Sequence, residues 1–128
     1  MNYRRNENWC EAVLELTKGR GADLVVETSG PGTLPQSMKA SRIGGHIVLV
    51  GVLTGIAGQV PTVALMEKQQ TLHGITGGRR VHQLEMIRAL NTMDLRPVID
   101  VTYPFAKIVE AFQFQESGRH FGKVCIEC

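Results

Sequence analysis

The hydrophobic pattern of this chain switches between a helical period and unbroken apolar runs. In "NENWCEAVLELTKGRG", Trp9, Ala12, Val13 and Leu16 recur at i, i+3, i+4 and i+7, which predicts a helix with one apolar face. Asn6 or Asn8 can cap its start, and Gly19 ends it. "ADLVVET" breaks that period. Leu24, Val25 and Val26 are apolar in succession, which predicts a short strand covered on both faces, as in a parallel sheet. After the loop "SGPGT", the stretch "LPQSMKASR" predicts a second helix, with Thr33 as its cap and Pro35 in its first turn, where a missing N–H costs little.

Gly44-Gly45 then predicts a turn, "HIVLVG" a second continuous apolar strand, and Val52–Gly58 a loop. Pro61 excludes a central strand from "QVPTVALMEKQQ", which reads as an edge segment followed by a short helix. "TLHGITGG" predicts a third strand running into glycines. "RRVHQLEMIRALNTMD" predicts a helix with Leu84, Ile87 and Leu90 on its apolar face. "RPVIDVTYP" predicts a strand, and "FAKIVEAFQFQESG" a helix with core candidates Ile108, Val109 and Phe112. "GKVCIEC" predicts a closing strand. Elements alternating in this way, with short links, imply right-handed crossovers and an α/β fold with a mostly parallel sheet flanked by helices.

Composition narrows the function classes. At 128 residues, 43% hydrophobic and 20% charged, the chain fits one globular domain. A net charge of +2, with Arg4-Arg5 and Arg79-Arg80 as its densest basic spots, is too diffuse for a nucleic-acid partner. The sequence holds no apolar run of about 18 residues for a membrane span and no apolar stretch behind the basic start for a secretory signal. Three cysteines, Cys10, Cys125 and Cys128, fit a reducing cytoplasm better than a disulfide framework.

Candidate chemistry concentrates at strand ends. "VVETSG", "VLVGVLTG" and "HGITGG" each release into glycine, and ligands of open α/β sheets sit outside the carboxyl ends of strands. Such an edge offers backbone groups and small side chains (Thr28, Ser29, Thr54, Thr76), which suit a heteroaromatic amide or a ribose. Turn-making alone is the competing explanation for these glycines. Cys125-x-x-Cys128 has metal-ligand spacing but lies on a predicted strand, and His46, His73, His82 and His120 are scattered, so no metal site is expected. Asp23 and Glu27 flank a strand with no partner in the pattern that would make either a general base. No Ser-His-acid arrangement or Gly-x-Ser-x-Gly elbow occurs.

In order along the chain, "GRGADLVVETSG", "GGHIVLVGVLTG", "LHGITGG", "LRPVIDVTYPFAKIVEAF" and "GRHFGKVCIE" resemble consecutive segments of the zinc-type alcohol dehydrogenases, within the medium-chain dehydrogenase/reductase family. The resemblance covers nearly all 128 residues. It implies that residues 1–128 are a single domain, the C-terminal part of a Rossmann-type dinucleotide-binding domain, with NAD or NADP as cofactor and hydride transfer to or from an alcohol or carbonyl as the reaction. By this resemblance Thr28 and Ser29 lie near the cofactor ribose, while the backbone of Val50, Gly51 and Val52 faces the nicotinamide carboxamide. Gly74, Ile75 and Thr76 form a second carboxamide-side segment. Lys123 lies near the pyrophosphate, or else is a solvated lysine beside a strand.

The family's Gly-x-Gly-x-x-Gly phosphate loop does not occur in this sequence. Neither does the region that separates NAD from NADP, nor the N-terminal catalytic domain with any zinc. The resemblance therefore implies an oxidoreductase fragment that starts within a domain and is inactive alone. The alternative is an assembly module. The family's counterpart of "GQVPTVALMEKQQTLHGI" makes subunit contacts, and "LVVET" lacks a neighbouring strand, so a homodimer through sheet-edge pairing is expected.

Overall fold

A computed structural model describes residues 3, 5–93 and 95–128; Arg4, of the basic pair Arg4-Arg5, lies outside the described residues. The chain divides into two compact units, Met1–Gly78 and Arg79–Cys128.

The first unit begins with α1 (Trp9–Leu16), β1 (Ala22–Glu27) and α2 (Leu34–Ala40), followed by β2 (Ser41–Leu49), α3 (Thr62–Glu67) and β3 (Thr71–Gly74). Its strands form one parallel sheet in the order β1-β2-β3. Val25, Ile47 and Leu72 are register partners and share a face of the sheet. Leu34 and Met38 of α2 and Ala64 and Leu65 of α3 pack on that face, with Met38 and Ile47 fully buried. Two right-handed crossovers stepping in the same direction must both cross the same side of a sheet. The other face is therefore bare within this unit. It carries Leu24 and Val26, 57% and 60% exposed, beside exposed His46 and His73. The expectation of a strand covered on both faces is corrected accordingly.

Several local expectations shift for identifiable reasons. α1 ends in a left-handed turn at Lys18 and Gly19, with the Gly19 N–H donating to the Leu14 carbonyl at 2.7 Å. Leu16, expected on the apolar face, is 78% exposed. Thr33 occupies the cap position of α2, but its hydroxyl makes no cap bond and donates to Glu27 instead. The Gly44-Gly45 turn falls inside β2, where the register passes from Ala22↔Ser41 to Leu24↔His46 and leaves an irregularity in the strand. Residues 57–61 form no edge strand; the chain passes Pro61 directly into α3. The last carbonyls of α2 are met from a distance. Lys68 Nζ donates to the carbonyls of Lys39 at 2.5 Å and Ser41 at 2.9 Å, and Gln70 Nε2 to that of Met38 at 2.8 Å. A cation at a helix C-terminus is favourable, and burial pushes the Lys68 ammonium below its ordinary pKa.

The second unit holds α4 (Arg80–Thr92), β4 (Ile99–Pro104), a 3-10 turn (Phe105–Lys107), α5 (Ile108–Glu116) and β5 (Lys123–Glu127). β4 and β5 form a separate parallel pair through α5, so among the described residues the five strands make two sheets rather than one. One helix on two strands buries little. Ala111 is the buried residue of α5, while the core candidates Val109 and Phe112 are exposed and Ile108 is half-buried. Leu84 and Ile87 of α4 are exposed as well. Phe114 packs between Tyr103 and His120, with ring centroids 6.3 and 6.1 Å away.

Met38 is the largest fully buried side chain. Truncation leaves a cavity in the cluster that joins α2 and α3 to the sheet, so Met38→Ala is expected to cost about 2–5 kcal/mol. Urea unfolding should show a lower midpoint with an unchanged slope.

Candidate functional site

Parallel strands release their chains on the same side of a sheet. The carboxyl ends of β1, β2 and β3 therefore share one edge. That edge gathers Thr28 and Ser29, then Val50, Gly51 and Val52, then Gly74, Ile75 and Thr76. Lys123 belongs to the second unit, at the start of β5, where its N–H donates to the Val98 carbonyl at 2.8 Å.

The first two loops are stitched together. The Glu27 carbonyl accepts the N–H groups of Val50 at 2.9 Å and Gly51 at 3.3 Å. The Ser29 carbonyl accepts both Thr54 N–H and Thr54 Oγ1 at 2.8 Å, and Thr54 Oγ1 accepts Gly32 N–H at 2.8 Å. Gly30 has φ +92°, open to glycine and few other residues. A Cβ on Gly51 would sit 1.5 Å from the Thr28 carbonyl oxygen, so the chains meet backbone to backbone. The third loop joins through the Ile75 N–H, which donates to the Leu49 carbonyl at 2.9 Å. Gly74 is different: a Cβ there would meet nothing within 4 Å.

Glu27 is the group that the sequence pattern missed. It is 3% exposed at the end of β1. Its Oε1 accepts Ser29 N–H at 2.8 Å, Gly30 N–H at 3.0 Å and Thr33 Oγ1 at 2.7 Å, while Ser37 Oγ donates to Oε2. Burial alone would push the carboxyl pKa up, but the hydrogen bonds from Ser37, Thr33, Gly30 and Ser29 together hold it below its ordinary value. A charge so engaged is no general base. Asp23, near the other end of β1, is exposed and bonded to Arg20 and Arg42, each at 2.6 Å. Those hydrogen bonds lower its pKa to about 2. Beside the β1 edge lies a cavity of about 410 Å³, lined by Tyr3, Trp9, Val26, Glu27, Thr28 and Ser29 among others. Among the described residues no group of three or more His, Cys, Asp or Glu side chains could hold a metal ion, and no helix is long and apolar enough to cross a membrane.

Comparison with known proteins now has a geometry to explain. The zinc-binding dehydrogenase family profile matches residues 1–126. A zinc-type alcohol dehydrogenase-like protein of Schizosaccharomyces pombe is 30% identical over 99% of this chain and 38% of its own length. A solved structure described as an alcohol dehydrogenase from Sinorhizobium meliloti superposes with a TM-score of 0.86 at 38% identity, covering 98% of this chain and 36% of that one. A 2-octenoyl-CoA carboxylase reductase solved with NADP and 2-octenoyl-CoA gives a TM-score of 0.83 at 27% identity, covering 95% and 27%. The chain thus spans 27–38% of the length of these relatives.

The site geometry carries two expectations. Gly51→Ala forces its methyl into the Thr28 carbonyl and should cost about 2–3 kcal/mol; chemical denaturation showing a change below 0.5 kcal/mol, by order of magnitude, would contradict the close approach. Because the Glu27 pKa is lower in the folded chain than its ordinary 4.5, its stabilisation is complete above that value and is lost as pH falls through the folded one. Glu27→Gln should therefore be about 2 kcal/mol less stable at neutral pH, and the deficit should shrink on acidification. Urea unfolding of both proteins from pH 7 down to about pH 3 checks this, and a constant gap would refute it.

Proposed function

We propose that this chain, which belongs to the zinc-binding dehydrogenase family, forms the nicotinamide side of an NAD or NADP site in an oxidoreductase acting on an alcohol or carbonyl. The observation that carries the reading is the shared carboxyl edge of β1, β2 and β3. The open backbone at Gly74 supports it, because a flat carboxamide can approach a residue that has nothing in front of it. Bound there, a nicotinamide supplies the hydride-transferring carbon; the chain's part is to bind and orient it. Thr28 and Ser29 would meet the ribose, and Val50, Gly51, Val52, Gly74, Ile75 and Thr76 the carboxamide. Lys123 would serve the pyrophosphate as a point charge. The described residues bring no metal cluster together, so no step is assigned to zinc. The chain by itself is proposed to bind without turnover.

A second reading, an assembly module, is favoured by one observation: β1 is an unpaired edge of its sheet, as β3 is, and carries the exposed apolar residues Leu24 and Val26. Two copies pairing along that edge give a homodimer.

Titration with NADH and NADPH, followed by reduced-nicotinamide fluorescence, separates the readings. Saturable binding is expected, with Gly74→Val weakening it by at least about tenfold without lowering the thermal unfolding midpoint. Failure to bind either cofactor up to millimolar concentration removes the first reading. A dimer by light scattering that Leu24→Lys turns into a monomer would then support the second.

A further inference from the structure

We infer that Glu27 is the positioning residue of the strand-end edge: its buried carboxylate fixes the 28–33 loop, and with it Thr28 and Ser29, against the loop that follows β2. The inference rests on the proposed cofactor site and deepens it.

The side chain works through its neighbours. Oε1 receives Ser29 N–H, Gly30 N–H and Thr33 Oγ1, and Oε2 receives Ser37 Oγ. The same residue's carbonyl receives Val50 and Gly51 N–H. One residue thus joins the first loop through its carboxylate and the second through its backbone. Thr54 closes the circuit by bonding the Ser29 carbonyl and Gly32 N–H. Thr28, Ser29, Val50 and Gly51 are held as parts of one braced assembly. A carboxylate suits the centre of it because every partner there is a donor, and a negative charge beside the start of α2 is favourable. An amide would turn an NH₂ group toward one set of these donors. Asp is one methylene too short to span from the strand end to Ser37.

The test compares the full chain with Glu27→Gln, with Ser37→Ala as a milder variant, and with Asp23→Asn as a control from the same strand. Two readouts are taken under conditions where each protein is folded: NADH affinity by fluorescence, and backbone amide exchange. Glu27→Gln should weaken NADH binding by about tenfold and speed exchange at Ser29 and Gly30 by a similar factor, with Ile47 in β2 unchanged. Ser37→Ala should follow the same pattern at about threefold, and it carries the test alone if Glu27→Gln does not fold. Asp23→Asn should match the wild type in both readouts. Exchange at Ser29 and Gly30 equal to wild type overturns the inference. So does a rise spread equally to Ile47, the signature of a merely structural carboxylate, or an unchanged NADH affinity beside a locally released loop. If the wild-type chain takes neither NADH nor NADPH, the proposed function fails, and the exchange pattern alone then decides whether Glu27 braces the loop.

Discussion

The buried carboxylate of Glu27 is the constraint around which the strand-end edge is arranged. Removing a charge from water costs several kcal/mol unless other dipoles replace the lost hydration. Here four donors replace it, two from the backbone of the loop just entered and two from hydroxyls on α2 and its cap. That requirement explains features that otherwise look unrelated. Thr33 leaves its own helix uncapped because its hydroxyl is needed elsewhere. Gly30 takes a left-handed backbone, its N–H meeting the carboxylate. Ser37 is buried in α2, where its hydroxyl supplies the donor that the second carboxylate oxygen needs.

A topological constraint acts alongside the electrostatic one. Sequential parallel strands β1-β2-β3 place both connecting helices on one side. The core of the first unit therefore lies on the face of Val25, Ile47 and Leu72. The rows Leu24–His46–Thr71 and Val26–Val48–His73 are left on the other. A strand with successive apolar residues has two faces to cover, and this unit covers one. The polar residues in those rows lower the cost of an open face, while Leu24 and Val26 keep it open to a partner. The edge where ligand is proposed to sit needs neither face, since it is built from chain ends that the topology already aligns.

Much of this architecture was legible in the sequence, because it rests on local signals. Pro35 after Thr33 marked the start of α2, Gly19 the end of α1, and the unbroken runs at Leu24–Val26 and Ile47–Val50 the parallel strands. The gathering of "VVETSG", "VLVGVLTG" and "HGITGG" on one edge follows once those strands are parallel. What the sequence concealed depends on distance. Nothing near Glu27 announces that Ser37, ten residues on, will supply a donor. A glutamate at the end of an apolar run reads as solvated by default. Leu16 lay on the helical face by spacing, yet that face extends further than the surface it packs on. The separate pairing of β4 with β5 was equally hidden, since periodicity identifies strands but not sheets.

The glycines of the three strand ends show why a motif is a weaker guide than a contact. All three ends looked alike as sequence. Gly51 is required by the protein itself: the Thr28 carbonyl fills the space where its side chain would be. Gly30 is likewise occupied by its own conformation and by the Gly51 carbonyl, 2.9 Å from where its Cβ would stand. At these two positions folding alone accounts for glycine, with no ligand invoked. Gly74 has no such neighbour and no positive φ, so neither packing nor backbone strain demands glycine there. A β-branched residue would fit this strand position at a gain in strand propensity, and its glycine leaves the approach open to the proposed cofactor. Close backbone approach at Gly51 and a positive φ at Gly30 therefore account for glycine at the first two strand ends. The case for a ligand rests on the third, together with the edge that Glu27 braces.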